Sequence, residues 1–259
     1  MMIDIHAHIL YCGDDGAASS EETLKMGEEF AKTGVTHVFA TPHFIRGTLE
    51  IAPERIIALT EEYNCLLKSQ NINLTILPGM EVEICHEIPG LYKEGKLLTL
   101  NNMGKHLLIE LPFHFLPPFT DQVLYELKLL GITPILAHPE RNHVLCHNPE
   151  PLWEMVHKGV LVQVNGGSLL GFFGSRVKKR ALSLIKSNLV HFIAGDAHRA
   201  YGERGPCLHL VHPILIKAVG EEKAEVLLKY NPKAILEGKN VLKWEPKQPK
   251  TGLARFFHR

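Results

Sequence analysis

Seven short runs rich in Ile, Val and Leu recur along this chain, and most of the gaps between them hold a stretch patterned as a helix. The runs lie near Ile3–His6, Thr36–Ala40, Leu74–Leu77, Leu107–Leu111, Thr133–Ala137, Val160–Val164 and His191–Ala194. Several are almost continuously apolar, as strands covered on both faces are. Helices are predicted from the capping pair Ser19 and Glu22 to a stop at Gly34, and from the first-turn Pro53 to about Ser69. Others are predicted over Thr120–Leu130, Pro151–Lys158, Ser175–Ser187, Leu208–Val219 and Lys223–Lys229. Strands that alternate with helices are joined by crossovers and pair in parallel. The expected fold class is α/β, a distorted TIM-like (β/α)7 barrel. At 259 residues the chain has the length of one such unit.

The residues at the C-terminal ends of these runs carry the chemistry. They read Asp4-Ile5-His6-Ala7-His8 with Asp14-Asp15-Gly16 after it, then Ala40-Thr41-Pro42-His43 and Pro78-Gly79-Met80-Glu81-Val82-Glu83. Ile109-Glu110-Leu111-Pro112, Ala137-His138-Pro139-Glu140-Arg141, Val164-Asn165-Gly166-Gly167 and Gly195-Asp196-Ala197-His198 complete the series. Six of the seven ends offer a His, Asp or Glu, at the end where β/α barrels build their active sites. His6 and His8 stand two apart on an extended chain and so point the same way, as do Asp196 and His198. One such pair is a weak signal. Gathering this many ionisable groups without a cation is costly, so their coincidence predicts a metal site at the C-terminal ends of the strands. A carboxylate such as Glu81 or Glu110 can bridge two cations ~3.5–4 Å apart. The donors are nitrogen and oxygen with no thiolate, which favours manganese (Mn2+), iron or catalytic zinc over a soft site without deciding among them.

Formal net charge is zero, which lends no support to a nucleic-acid or membrane partner. Hydrophobic residues make up 45% and charged residues 22%, ordinary for a soluble domain. The five cysteines show no C-x-x-C pair and suit a reducing compartment. With no basic leader ahead of a long apolar run, a cytoplasmic protein without membrane insertion is expected. No Cys has an Arg six positions later, which closes the C-x5-R route to phosphotyrosine hydrolysis. The domain reading is 1–238 for the barrel and 239–259 for a basic tail, which holds six Lys or Arg against Glu245.

The motifs M-I-D-I-H-A-H, D-D-G, A-T-P-H, P-G-M-E, L-I-E-L-P, A-H-P-E-R, V-N-G and G-D-A-H resemble the polymerase and histidinol phosphatase superfamily. The likeness is greatest to its bacterial manganese-dependent protein-tyrosine phosphatases of the capsule and exopolysaccharide regulatory type. Order and spacing hold from Ile3 to about Pro206, and N-P-K-A-I-L-E-G-K fits the same group. The resemblance implies two or three ions. His6 and His8 would hold one with Glu81 and Asp196. Glu81 would bridge to a second held by Glu110 and His138, and Asp15, His43 and His198 would hold a third. Arg141 would bind phosphate, and Arg204 would be the second arginine, with Arg199 as its rival because the spacing here departs from the family's. Asp14 and Glu83 flank ligands and are read as supporting residues.

The expected reaction is attack on phosphorus by a hydroxide formed on the metals, with arginines holding the other oxygens. The expected partner is a phosphotyrosine protein such as a bacterial tyrosine kinase, whose acidic segment Arg46 and the basic tail would attract. The phenol leaving group, with a pKa near ~10, needs less help from an acid than an alcohol does. Three rivals stay open: a histidinol-phosphate phosphatase, a metal-dependent amidohydrolase and a barrel that binds metal without catalysis.

Overall fold

The computed structural model describes residues 2–248. Nine strands occur among the described residues: β1 (Met2–Ala7), β2 (Val35–Ala40), β3 (His43–Phe44), β4 (Thr75–Pro78), β5 (Glu81–Glu83), β6 (His106–Glu110), β7 (Thr133–Ala137), β8 (Leu161–Asn165) and β9 (Phe192–Ala194). Every ladder is parallel. The seven expected strands all form. The two additional ones, β3 and β5, are continuations of the chain beyond β2 and β4, after breaks at Thr41-Pro42 and Gly79-Met80.

The ladders make two sheets, ordered β1-β2-β4 and β3-β5-β6-β7-β8-β9. On one side the chain itself joins them, β2 running into β3 and β4 into β5, which pair with each other. The Glu81 N–H donates to Pro42 O (3.1 Å). On the other side Ala7 bridges to Ala197, with His8 N donating to Ala197 O (2.8 Å) and Asp196 N to His6 O (2.9 Å). The fold is mixed α/β with parallel sheets.

Helices cover the outside. They are α1 (Ser20–Lys32), α2 (Pro53–Ser69), α3 (Ile88–Lys93), α4 (Thr120–Leu129), α5 (His143–His147), α6 (Glu150–His157), α7 (Gly166–Leu170), α8 (Ser175–Lys186), α9 (Leu208–Val219), α10 (Glu221–Glu225) and α11 (Asn231–Leu236). The Ser19 side chain accepts from Glu22 N, and the Glu22 carboxylate accepts from Ala18 N, so both ends of the expected cap are used. The last expected helix differs. It starts at Glu221, and a π turn over Val226–Tyr230 carries it into α11. Val226, Leu227 and Leu228 are all buried there, a run too broad for one α-helical stripe.

Two apolar layers result. Ile3, Ile5, Leu108, Ile135, Leu161 and Phe192 pack together as one buried cluster on one face of the strands. Val38, Val82, Ile109, Leu136, Val162 and Ile193 face the helices. Adjacent positions of one strand thus serve opposite layers, as strand alternation requires. Among the described residues no helix is long and apolar enough to cross a membrane. Of the expected basic tail, 239–248 lies against the body. Asn231 exchanges two hydrogen bonds with the Leu242 backbone (2.8 and 3.0 Å), Lys247 N donates to Ser187 O (2.9 Å), and Trp244 packs on the core. The remainder, 249–259, lies outside the described residues.

Candidate metal centre

The strand alternation that points Ile3 and Ile5 inward is broken at the end of β1, where a register irregularity lies between Asp4 and Ala7. His6 and His8 then turn the same way, with Nε2 atoms 3.3 Å apart. Each ring is fixed from behind. His6 Nδ1 lies 3.0 Å from Gln163 Oε1, and His8 Nδ1 lies 2.9 Å from Asp14 Oδ2. A ring held through Nδ1 presents Nε2 to the centre, the arrangement seen for metal-binding imidazoles.

Glu81 is the hub. It is fully buried, and its Oε2 lies 3.1 Å from His6 Nε2, 3.2 Å from His8 Nε2 and 3.3 Å from His43 Nδ1. Its Oε1 lies 3.1 Å from His138 Nε2. Glu110 stands 3.7 Å from both His43 and His138. On the other flank Asp15 Oδ1 lies 3.1 Å from His198 Nε2 and 3.5 Å from His43 Nε2. Asp196 Oδ1 faces His6 and His8 at 3.4 and 3.5 Å.

All nine expected ligands are therefore gathered in one cluster. Donor atoms lie within 4.8 Å of one another in four groups: His8-Asp15-His43-His198, His6-His8-Glu81, His6-His138-Asp196 and His43-Glu81-Glu110. The donor set suits a cation better than it suits itself. Glu81 Oε2 and His43 Nδ1 are buried and close, yet neither makes a hydrogen bond. Buried polar atoms left in that state are rare, and a cation would satisfy both. Two of the expected ligands, His138 (φ 30°) and Asp196 (φ 54°), sit in left-handed backbone that non-glycine residues seldom adopt. Strain of this kind concentrates where side chains must be aimed.

Charge is distributed unevenly. Burial would push His6 and His8 toward neutrality, but Glu81, Asp196 and, at His8, Asp14 outweigh it; His6 is raised to about 9 and His8 well above its ordinary value. Burial opposes the Glu81 carboxylate, yet the His6 charge, the His138 hydrogen bond and the adjacent His8 imidazole hold it well below the usual range. Burial and the Glu81 charge raise Glu110 to about 7. His43 and His198 are lowered, mainly by burial.

Arg141 reaches the same centre from the turn after β7 and donates from Nη1 to Asp196 Oδ2 (3.2 Å). Arg204 and Arg199 differ in what they touch. Arg204 Nη2 donates to Asp15 Oδ2 (2.8 Å) at the rim. Arg199 Nη1 is engaged by backbone oxygens of Asp15, Gly16 and His198, so it ties two loops together. Asp14 supports His8 and also accepts from Gly16 N (3.1 Å). Glu83 has no ion-pair partner among the described residues.

Two functional positions escaped sequence reasoning. Gln163 fixes His6 and donates to Asn165 Oδ1 (2.7 Å), and Asn165 Nδ2 donates to Asp196 Oδ2 (2.6 Å). This amide relay sets the orientation of two ligands. Its signal was present: two amides stand two apart in an otherwise apolar strand, Leu161-Val162-Gln163-Val164-Asn165. Glu140 likewise binds Asn165 N (2.9 Å) and Ser168 Oγ (2.6 Å), locking the turn after β7 to α7.

Comparison with known proteins agrees with this geometry. The tyrosine-protein phosphatase YwqE of Bacillus subtilis is 36% identical over 248 residues, covering 96% of each chain. The tyrosine-protein phosphatase CpsB of Streptococcus pneumoniae is 31% identical over 240 residues, covering 91% of this chain and 98% of its own. A crystal structure from work on these two proteins, described as unique metal-dependent tyrosine phosphatases, superposes with a TM-score of 0.92 at 35% identity, covering 96% of this chain and 100% of that one. A histidinol phosphate phosphatase of Lactococcus lactis superposes at 0.52 with 15% identity, a likeness of fold alone. The family model for capsular polysaccharide synthesis proteins CpsB/CapC matches residues 2–237, and the chain belongs to that family.

Proposed function

We propose that this chain is a metal-dependent tyrosine phosphatase acting on a phosphotyrosine protein, with a bacterial tyrosine kinase as the expected partner. The observation that carries it is the cluster of five imidazoles and four carboxylates, buried except at its Asp15 and His43 rim, with Arg141 and Arg204 at its edge. His6, His8, Glu81 and Asp196 would hold one ion, Glu81, Glu110 and His138 a second, and Asp15, His43 and His198 a third. Manganese suits these nitrogen and oxygen donors, as do iron and zinc. Held there, such ions would supply Lewis-acid charge and a nucleophilic water near neutral pH.

The chain's own residues do the rest. Arg141 and Arg204 present permanently charged, planar guanidinium groups suited to phosphoryl oxygens. Gln163 and Asp14 keep the His6 and His8 imidazoles oriented, and Asn165 holds the Asp196 carboxylate. Phe113 and Phe115 after β6, and Tyr201 after β9, are exposed on the strand-end side and suit an aryl group better than an alkyl one. Free cysteines throughout suit a reducing cytoplasm. The two sheets, linked by the runs of β2 into β3 and β4 into β5 and by the Ala7–Ala197 bridge, are read as the sides of one distorted (β/α)7 barrel over 1–238, with 239–259 as its basic extension.

The test is kcat/KM for phosphotyrosine peptides, phosphoserine peptides and histidinol phosphate, with manganese and then with chelator. The phosphotyrosine peptides should lead, and the chelator should abolish turnover. A lead of about tenfold or more for histidinol phosphate would reassign the substrate. No turnover of any of these phosphoesters would leave a barrel that binds metal only.

A further inference from the structure

Arg141 has unusual neighbours. Its guanidinium carbon lies 4.6 Å from the ring centre of Phe113 and 4.3 Å from that of Phe173. Phe113 belongs to the loop after β6, and Phe173 to the turn after α7. Both rings are part exposed, at 40% and 37%, although large apolar side chains usually find cover. Phe113 also stacks near His138, with ring centres 6.1 Å apart. An arginine between two ring faces keeps its charge while losing freedom to swing. The Nη1 bond to Asp196 fixes its remaining rotation. Among the described residues the other guanidinium nitrogens have no protein acceptor, which leaves them for a ligand.

The approach of Phe173 depends on one position. A Cβ on Gly167 would stand 3.2 Å from both Phe172 Cδ2 and Phe173 Cε2, tighter than ordinary packing. Gly167 lies in α7 with ordinary helical backbone, where alanine is the better helix former. Its lack of a side chain therefore answers a demand for space beside Phe173, not a conformational demand.

We propose that Phe113 and Phe173 form an aromatic clamp that positions Arg141 for phosphoryl oxygens, and that Gly167 leaves the room Phe173 needs to close it. The inference rests on the phosphatase reading and adds positioning residues to it. None of the three offers a metal-binding atom or a charge. Their effect passes through Arg141.

The experiment is a double-mutant cycle on metal-loaded full-length protein. Phe113→Leu, Phe173→Leu, Phe173→Tyr and Gly167→Ala are made alone and in an Arg141→Ala background. Two quantities are read: kcat/KM on a phosphotyrosine peptide, and the dissociation constant of inorganic phosphate by calorimetry. Metal content and thermal midpoint are controls. The leucine variants and Gly167→Ala should each weaken both quantities by about five- to tenfold with metal content unchanged, while Phe173→Tyr keeps a ring and restores most of the loss. In the Arg141→Ala background the same changes should cost less than about twofold, because their target is gone. Equal losses in both backgrounds, or none in the wild-type background, would overturn the clamp. If wild-type protein fails to cleave phosphotyrosine, the functional reading falls, and phosphate affinity alone still decides the clamp. Wild-type protein that binds no phosphate would sink the clamp as well.

Discussion

Loading the cluster with divalent cations should expel a countable number of protons. In chelator-stripped protein at pH 7, His6 and His8 are both charged, since Glu81 and Asp196 outweigh burial and hold His6 up to about 9 and His8 well above its ordinary value. Glu110, raised to about 7 by burial and by Glu81, is near half protonated. His43 and His198 are already neutral, and Glu81 and Asp196 already ionised. A cation takes the lone pair of each ligand, so binding releases the protons that occupy them. Two imidazolium protons and a share of the Glu110 proton give about 2.5 protons per filled cluster at pH 7. The sign follows: protons leave on binding, so affinity rises with pH until His6 itself deprotonates near pH 9. With about two protons released, the overall binding constant rises about a hundredfold per pH unit, or ~2.7 kcal/mol. Calorimetric manganese titrations in buffers of different ionisation enthalpy measure the proton number directly. Release of less than about one proton at pH 7, or an affinity flat between about pH 6 and about pH 8, would refute the charge assignment.

Other outcomes follow from single sites. Arg141→Ala should lower kcat/KM about 10²- to 10³-fold with metal content unchanged by elemental analysis, as loss of one oxyanion donor does. Replacing all five cysteines with serine should leave turnover intact; burial pushes the Cys12 and Cys207 thiols up to about 12, so neither offers a thiolate, and loss of activity in a folded variant would point to a different nucleophile. His191 accepts from Val162 N at Nδ1 (3.1 Å) and is pushed by burial down to about 3. The unfolded chain takes up that proton near pH 6.5, so stability is full above about 6.5 and falls by about 1.4 kcal/mol per pH unit toward 3; urea midpoints should show the decline, and His191→Asn should flatten it.

Legibility in the sequence followed the range of the interactions. Local signals gave local elements: Pro53 and Ser69 bound α2 as expected, and the Ser19 cap forms. That the nine expected residues would come together was legible because parallel strands with crossovers bring all their C-terminal ends to one face, so residues far apart in sequence share an address. The two short strands β3 and β5 were missed because two or three residues carry no periodicity, and His43 and Glu81 open them. Gln163 and Asn165 were passed over because an amide in a strand signals nothing until its partners, His6 and Asp196, are placed beside it. The pairing of Arg141 with Phe113 and Phe173 depends on two loops meeting, which no spacing encodes. The difference between Arg199 and Arg204 is likewise one of loop geometry.

The junction between β1 and the end of β9 has a further consequence for how the protein comes into being. Asp4 is fully buried and accepts twice from the Gly195 N–H, 191 residues away, and a side chain at 195 would collide with that carboxylate. His6 and His8 leave the ribosome well before Asp196, whose carboxylate follows only after most of the described fold has been made. At ~5–20 residues per second, that interval lasts roughly ten to forty seconds. Throughout it a nascent H-x-H pair is free to catch whichever transition metal the cell offers, with no complete cluster to discriminate. On the proposed ligand assignment, complete metal loading therefore waits for the last strand to close against the first.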